Sequence, residues 1–355
     1  METPPAALEG CLLGGAVGDA LGLPAEGLSP RRQRALFGDI DRHRLLFGRG
    51  MISDDTEHAL LTANALLDSG GDPDRFGASL ARGLRRWACL LPAGAGRSTL
   101  AACLRLLLGV PPDRSGVPSA GNGPAMRAAI LGVGFGHDSP RLRALVRAST
   151  RVTHTDPRAD HAALAVALCA YLFSRGRTDG DGFLAAVEEC LPWDDGDAAE
   201  TLTALRAAAA SAGRGENTLR FARSIGCGEG VSGYVLHTVP VAVHASLRHP
   251  DDFPAAVRAA VACGGDTDTT AAITGGIVGS RVGLVGIPAD WIAGIAEWPH
   301  GVAGWKETAR RHAAMRATGC PQGEVRVFLP GLFLRNAAFL LVVLFHGLRR
   351  LLPPY

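Results

Sequence analysis

No two of the eight cysteines form a Cys-x-x-Cys pair; they stand singly at 11, 89, 103, 169, 190, 227, 263 and 320, mostly among alanine and leucine. That scatter argues against a zinc site or a disulfide frame and reads as buried, reduced thiols in a cytosolic protein. Lysine is scarce, so the basic side is nearly all arginine, and 36 basic residues against 34 acidic ones leave a net charge of +2. Without a Lys/Arg-rich run, the charge pattern offers nothing to a nucleic acid. The N-terminus has no basic n-region, and its first apolar stretch is broken by Glu9, Gly14, Gly15 and Asp19, so a secretory leader is not expected. Runs that alternate apolar and polar residues, the mark of a half-buried strand, are nearly absent. No repeat with a period of about 20 to 50 residues is visible, which excludes a solenoid.

Helical patterning fills the chain instead. Apolar residues recur three and four apart over Asp55–Leu67, Pro73–Leu90, Thr99–Leu108, Pro124–Leu131, Pro140–Thr150, Arg158–Ser174, Gly182–Leu191, Ala198–Ala212, Val235–Ser246, Phe253–Ala262, Thr267–Val282 and Ala289–Met315. Pro, Asp, Ser and Gly stand at the boundaries, where caps belong. The class is all-α. The run Leu8–Gly22 is helical in period yet carries five glycines. Each costs a helix about 1 kcal/mol relative to alanine, so something must approach this backbone closely. Pro24 ends the run, and Glu26 follows in a loop.

Two acidic motifs, Ser53-Asp54-Asp55-Thr56 and Gly265-Asp266-Thr267-Asp268-Thr269-Thr270, each precede an apolar helical run. Taken singly they are helix starts: Ser53 is a good N-cap, and Asp54 with Glu57 fits a capping box. Taken together, they would bring four carboxylates and several hydroxyls to one place. Carboxylates that close repel one another unless cations lie between them. Oxygen ligands without His or Cys select a hard cation, Mg²⁺ or Mn²⁺, and several carboxylates favour two ions over one. Between the motifs lies a Pro/Gly/Ser-rich stretch, Gly109 to Pro124. Because the motifs flank it and must meet, it is read as a loop inside one domain, residues 1–320.

That loop ends in Gly121-Asn122-Gly123-Pro124, either a plain turn or a cradle of backbone N–H groups for a diphosphate. His154, just before a helix begun by Pro157, either meets a ribose or diphosphate or is incidental to capping by Thr155 or Asp156. His237 and His244 read as core histidines, and Asp194, Asp195 and Asp197 as a solvated turn. No Ser-His-Asp or Cys-His nucleophile pattern is present. Residues 321–355 form an apolar tail whose uninterrupted core, Ala337 to Phe345, is nine residues. A membrane span needs about 20. A helix docked on the body or on a second subunit is expected, with attachment to a membrane surface through Arg349 and Arg350, or a true span, as the alternatives.

In order along the chain come Gly14-x-x-x-Gly18-Asp19-Ala20-Leu21-Gly22 with Glu26, Ser53-Asp54-Asp55-Thr56, Gly121-Asn122-Gly123-x-x-Met126-Arg127, His154-x-Asp156-Pro157, Gly233-Tyr234-Val235 and Gly264-Gly265-Asp266-Thr267-Asp268-Thr269. This ordered set closely resembles the ADP-ribosylglycohydrolase family over roughly residues 8 to 315. The resemblance implies a compact orthogonal multi-helix bundle with a binuclear Mg²⁺ or Mn²⁺ cleft. It implies Ser53, Asp54, Asp55, Asp266, Asp268 and Thr269 as metal ligands, with Ser53 where many members have Thr. It implies Glu26 near the substrate ribose, and the chemistry of such a site leaves Asp55 or Glu26 to take the proton from water. Gly121, Asn122, Gly123, Met126, His154 and Tyr234 would contact ADP-ribose. The substrate would be an ADP-ribosylated protein or a small-molecule ADP-ribose conjugate, cleaved at the anomeric carbon.

Overall fold

Glycine at every fourth position of the first helix, Pro5–Gly22, sets the centre of the fold. Gly10, Gly14, Gly18 and Gly22 form one bare stripe, and the helix Thr267–Val282 lies directly on it. A Cβ on Gly14 would stand 2.3 Å from the Gly275 carbonyl oxygen, and one on Gly18 would stand 2.1 Å from that of Ala271. The glycines therefore serve helix–helix contact, backbone on backbone. Asp19, next in sequence to Gly18, is carried by this contact to the start of the Thr267 helix.

The computed structural model describes residues 5–191 and 196–349. Among these the protein is all-α, with only isolated β-bridges between loops. The helix Pro157–Ser174 is buried along nearly its whole length, including Leu164, Leu168 and Leu172. Around it pack Ala129–Phe135, Ser139–Arg151 and Val235–Arg248, among others. The helix Asp54–Ser69 runs beside the first helix, so both acidic motifs open onto one region.

Several boundaries differ from the periodicity. The pattern over Ala289–Met315 is two helices, Ala289–Ala293 and Val302–Thr318, parted by a segment that contains Pro299 and Gly301. The pattern over Pro124–Leu131 divides into Gly123–Met126 and Ala129–Phe135. Two short helices, Pro30–Phe37 and Thr218–Ser224, start at the side-chain caps Ser29 and Asn217. Cys89 and Cys320 are exposed, which corrects the expectation of buried thiols for those two; the other six are buried.

The tail forms the helix Leu329–Arg349. Arg335, Asn336, Phe339 and His346 face the body and are buried, while Leu341, Leu344, Phe345 and Leu348 are exposed. Asn336 donates to the Leu90 carbonyl at 2.8 Å, and His346 bonds to that of Leu45. By length and apolar composition this helix and the first could each cross a membrane, but the first is the core of the bundle. The Asp194–Asp195 pair, Arg350 and the Arg349 side chain lie outside the described residues, whereas Asp197 opens the helix Gly196–Gly213.

Candidate active site

Ser53 is the N-cap of the Asp54 helix, and its hydroxyl accepts from the Asp55 N–H. The expected capping box does not form. Glu57 turns away to the Trp87 indole N–H at 2.6 Å and to Arg335 at 3.0 Å. The helix start is satisfied from a distance instead. The Asp19 carboxylate accepts from the N–H groups of Ser53 (3.0 Å) and Thr56 (3.2 Å), and from the Thr56 hydroxyl at 2.5 Å. A carboxylate there also suits the positive end of the helix dipole.

The second motif enters through a tight turn. Gly264 and Gly265 have φ of +68° and +75°, a region that side chains strain to reach. The turn joins three segments. Gly265 exchanges backbone hydrogen bonds with Gly27 and Leu28, each 2.7 Å, and the Asp266 N–H donates to the Val231 carbonyl. The loop carrying Glu26 is thereby pinned beside the acids. Asp266 is the N-cap by position but caps nothing with its side chain. Its Oδ2 accepts from the Asn122 amide at 2.7 Å. Thr269 donates to Asp55 Oδ2 at 3.1 Å. Thr267 is drawn to the Gly22 carbonyl, and Thr270 bonds back to that of Asp266, so neither hydroxyl turns to the acids.

Oxygens of Asp19, Asp55 and Asp268 come within 4.8 Å of one another, and all three residues are buried. Asp55 Oδ1 and Asp268 Oδ1 have no hydrogen-bond partner. Burial raises the Asp19 carboxyl to about 6, against the hydrogen bonds from Thr56 and Ser53. Burial also raises Asp55 and Asp268 well above the carboxylate range, and the neighbouring acids add to the rise. Asp54, half-buried, is raised by loss of water and then by Glu57, Asp19, Glu26 and Asp266. Orphaned carboxylate oxygens in a like-charged, dry cluster fit divalent cations, which would supply the missing partners. Asp54 and Asp266 flank this cluster of three.

Asp19 is the residue that the two-motif reading missed. Its signal was an acid set among the glycines of a largely apolar helix. Arg127 is the second. Fully buried, it reaches Ser149 and Thr153, with one nitrogen 3.1 Å from His58 Nδ1. It thereby joins the Asn122 loop to the Asp54 helix from behind.

The loop itself is built differently from a free cradle. The Gly121 N–H already donates to the Ser119 hydroxyl, and the Asn122 N–H donates to the Gly233 carbonyl. A Cβ at Gly121 or Gly123 would stand 3.0 Å from the His154 ring. The glycines thus make room for His154, which is buried beneath the loop with Nδ1 at 2.9 Å from the Thr153 hydroxyl. Burial and the charge of Arg127 lower the His154 pKa to about 3, so its ring is neutral. Asp156 caps the following helix as expected. Met126 is buried behind the loop. Tyr234 pairs with Gly121 through a backbone bridge, and its hydroxyl donates to Glu200. His244 is a core histidine, stacked on Phe221 and bonded to Ser211 and Thr218. His237 departs from that expectation: it is half-buried, edge-on to Tyr234, and bonded to Ser232.

The chain is similar to several known proteins. An uncharacterized protein of Archaeoglobus fulgidus is 32% identical over 301 residues, covering 80% of this chain and 90% of that one. The ADP-ribosyl-[dinitrogen reductase] glycohydrolase of Rhodospirillum rubrum is 27% identical over 295 residues, covering 80% of this chain and 88% of its own. Human ADP-ribosylhydrolase ARH3 is 26% identical over 200 residues, half of this chain and 54% of its own. A solved structure described as an ADP-ribosylglycohydrolase-related protein complex superposes with a TM-score of 0.61 at 28% identity, covering 89% of this chain and 99% of that one. With residues 3–321 matching the family as a whole, the chain belongs to the ADP-ribosylglycohydrolases.

Proposed function

We propose that the protein is a divalent-cation-dependent hydrolase that cleaves the glycosidic bond between ADP-ribose and a modified target. The observation that carries this reading is the buried meeting of Asp19, Asp55 and Asp268 with two partnerless oxygens. Asp54, Asp266, Ser53 and Thr269 would complete the oxygen ligands of two Mg²⁺ or Mn²⁺ ions. When bound, the ions would supply Lewis-acid polarisation and an anchor for ribose hydroxyls. Cleavage at the anomeric carbon passes through an oxocarbenium-like state, which nearby carboxylates stabilise. Glu26, on the loop pinned to Gly265, or Asp55 would accept the proton from the attacking water. Asn122, fixed by Asp266, and Tyr234, beside Gly121, would line the ADP-ribose side. His154, neutral and buried, would hold the loop in shape from beneath.

The target is an ADP-ribosylated protein or a small ADP-ribose conjugate. A panel of defined ADP-ribosyl linkages, each incubated with Mg²⁺, Mn²⁺ or EDTA, tests the reading. Release of ADP-ribose from at least one member, abolished by EDTA and by Asp268→Ala, is expected. Tight binding of ADP-ribose with no turnover on any linkage would replace the hydrolase with a binder.

A further inference from the structure

The tail helix lies beyond the residues that match the family, yet it reaches the acids' own helix start. Arg335 is buried. Its Nε and Nη2 form a two-pronged bond to Glu297, at 2.9 and 2.6 Å. Its Nη1 reaches Glu57 at 3.0 Å, and its Nη2 donates to the Ile52 carbonyl at 2.6 Å. The Ile52 N–H donates to Glu297 at 2.9 Å. The next N–H, that of Ser53, is held by Asp19. Three consecutive backbone groups before Asp54 are thus each tied to a charged side chain, one of which comes from the tail. Ile52 and Glu57 bracket the run Ser53–Thr56, and Arg335 grips both.

We propose that Arg335 is a positioning residue: by docking the tail it fixes the Ser53–Thr56 helix start in the geometry that receives the divalent cations. Tail docking and cation occupancy are then coupled, and the coupling acts in both directions. Only a planar fork spans these three acceptors; a lysine keeps the charge but loses the span. Removing such a support from beneath metal ligands typically costs about 10- to 100-fold in metal affinity. This inference rests on the cation reading above.

Hydrogen exchange on the full chain tests it. Saturating Mn²⁺ is expected to slow exchange at residues 53–56 and 266–270, and also along the tail helix. Protection at the acids with no change in the tail would overturn the coupling. In the metal-free Arg335→Lys variant, amides 52–56 are expected to exchange faster while those of the Pro157–Ser174 helix do not change. Its Mn²⁺ affinity, followed by the spectrum of the free ion, is expected to fall about tenfold. Parental exchange at 52–56 together with parental affinity would overturn the positioning role. If Mn²⁺ protects neither acids nor tail, the cation reading fails by itself. The exchange of amides 52–56 in Arg335→Lys then decides the positioning role.

Discussion

Thr269 donates a hydrogen bond to Asp55 across a separation of 214 residues, and so joins the two acidic motifs side chain to side chain. The bond engages Asp55 Oδ2, while Oδ1 has no hydrogen-bond partner. Thr269→Val keeps the shape and removes the donor. Loss of such an orienting bond weakens metal binding by about 10- to 100-fold in comparable sites. Calorimetric titration with Mn²⁺ measures it. Affinity equal to the parent would mean that the hydroxyl neither ligates nor orients.

Asp19 does two jobs that a substitution can separate. It caps the Asp54 helix from a distance, and it adds negative charge to a dry acidic cluster. Asp19→Asn retains an acceptor for the cap and removes the charge. Repulsion in the metal-free protein then falls, while the attraction for cations falls too. Little loss of melting temperature without metal, together with at least a tenfold weaker Mn²⁺ affinity, is the expected pair of results. A large drop in melting temperature with unchanged affinity would assign Asp19 to structure alone.

Much of this was legible in the residues, and the gaps have physical reasons. Period and caps located the helices because each must bury one face. They overran at Ala289–Met315, where apolar residues continue through a break that Pro299 and Gly301 impose. The acids at 53–56 and 266–269 were visible as local patterns. Asp19 was not, because its partners lie 34 and 37 residues away and only the fold joins them. The Gly121 and Gly123 pair reads in sequence as either a plain turn or a phosphate cradle; in space the pair clears the His154 ring. Arg335 is a charge set in an apolar tail, and no acid near it in sequence could pair with it. Its counter-charges, Glu57 and Glu297, come from elsewhere in the chain.

The glycine stripe of the first helix is open to a matched pair of substitutions. A Cβ at Gly14 would lie 2.3 Å from a backbone oxygen of the partner helix, which cannot move without parting the two helices. At Gly15, one residue on, the nearest such atom is 3.5 Å away, an ordinary contact. Gly14→Ala should therefore destabilise by about 3 kcal/mol or more. Gly15→Ala should be neutral or stabilise by about 0.5 to 1 kcal/mol through helix propensity. Urea denaturation of both variants checks the contrast, and equal effects would refute the backbone contact.

The pH dependence of stability should differ in kind between metal-free and metal-loaded protein. Burial raises the Asp19 carboxyl from 3.8 to about 6 and raises Asp55 and Asp268 as well. Between their unfolded and folded values these groups bind more protons when folded, so their contribution to stability is lost as pH rises through the folded values. The buried histidines act in the opposite sense. Burial lowers His154 to about 3 and His244 and His312 to about 4, so below about 6.5 the unfolded chain takes up protons that the folded chain refuses. In EDTA the two sets therefore oppose each other across the acid range: the Asp19 contribution is lost between pH 3.8 and about 6, where the histidine penalty is being relieved. Cations that pair with the carboxylates keep them ionised, so Mg²⁺ should stabilise the protein increasingly as pH rises, while the histidine contribution stays in place. Melting temperatures across about pH 5 to 8.5, with EDTA and with Mg²⁺, measure that gain. A gain from Mg²⁺ that does not grow with pH would mean that the cluster does not hold the cation.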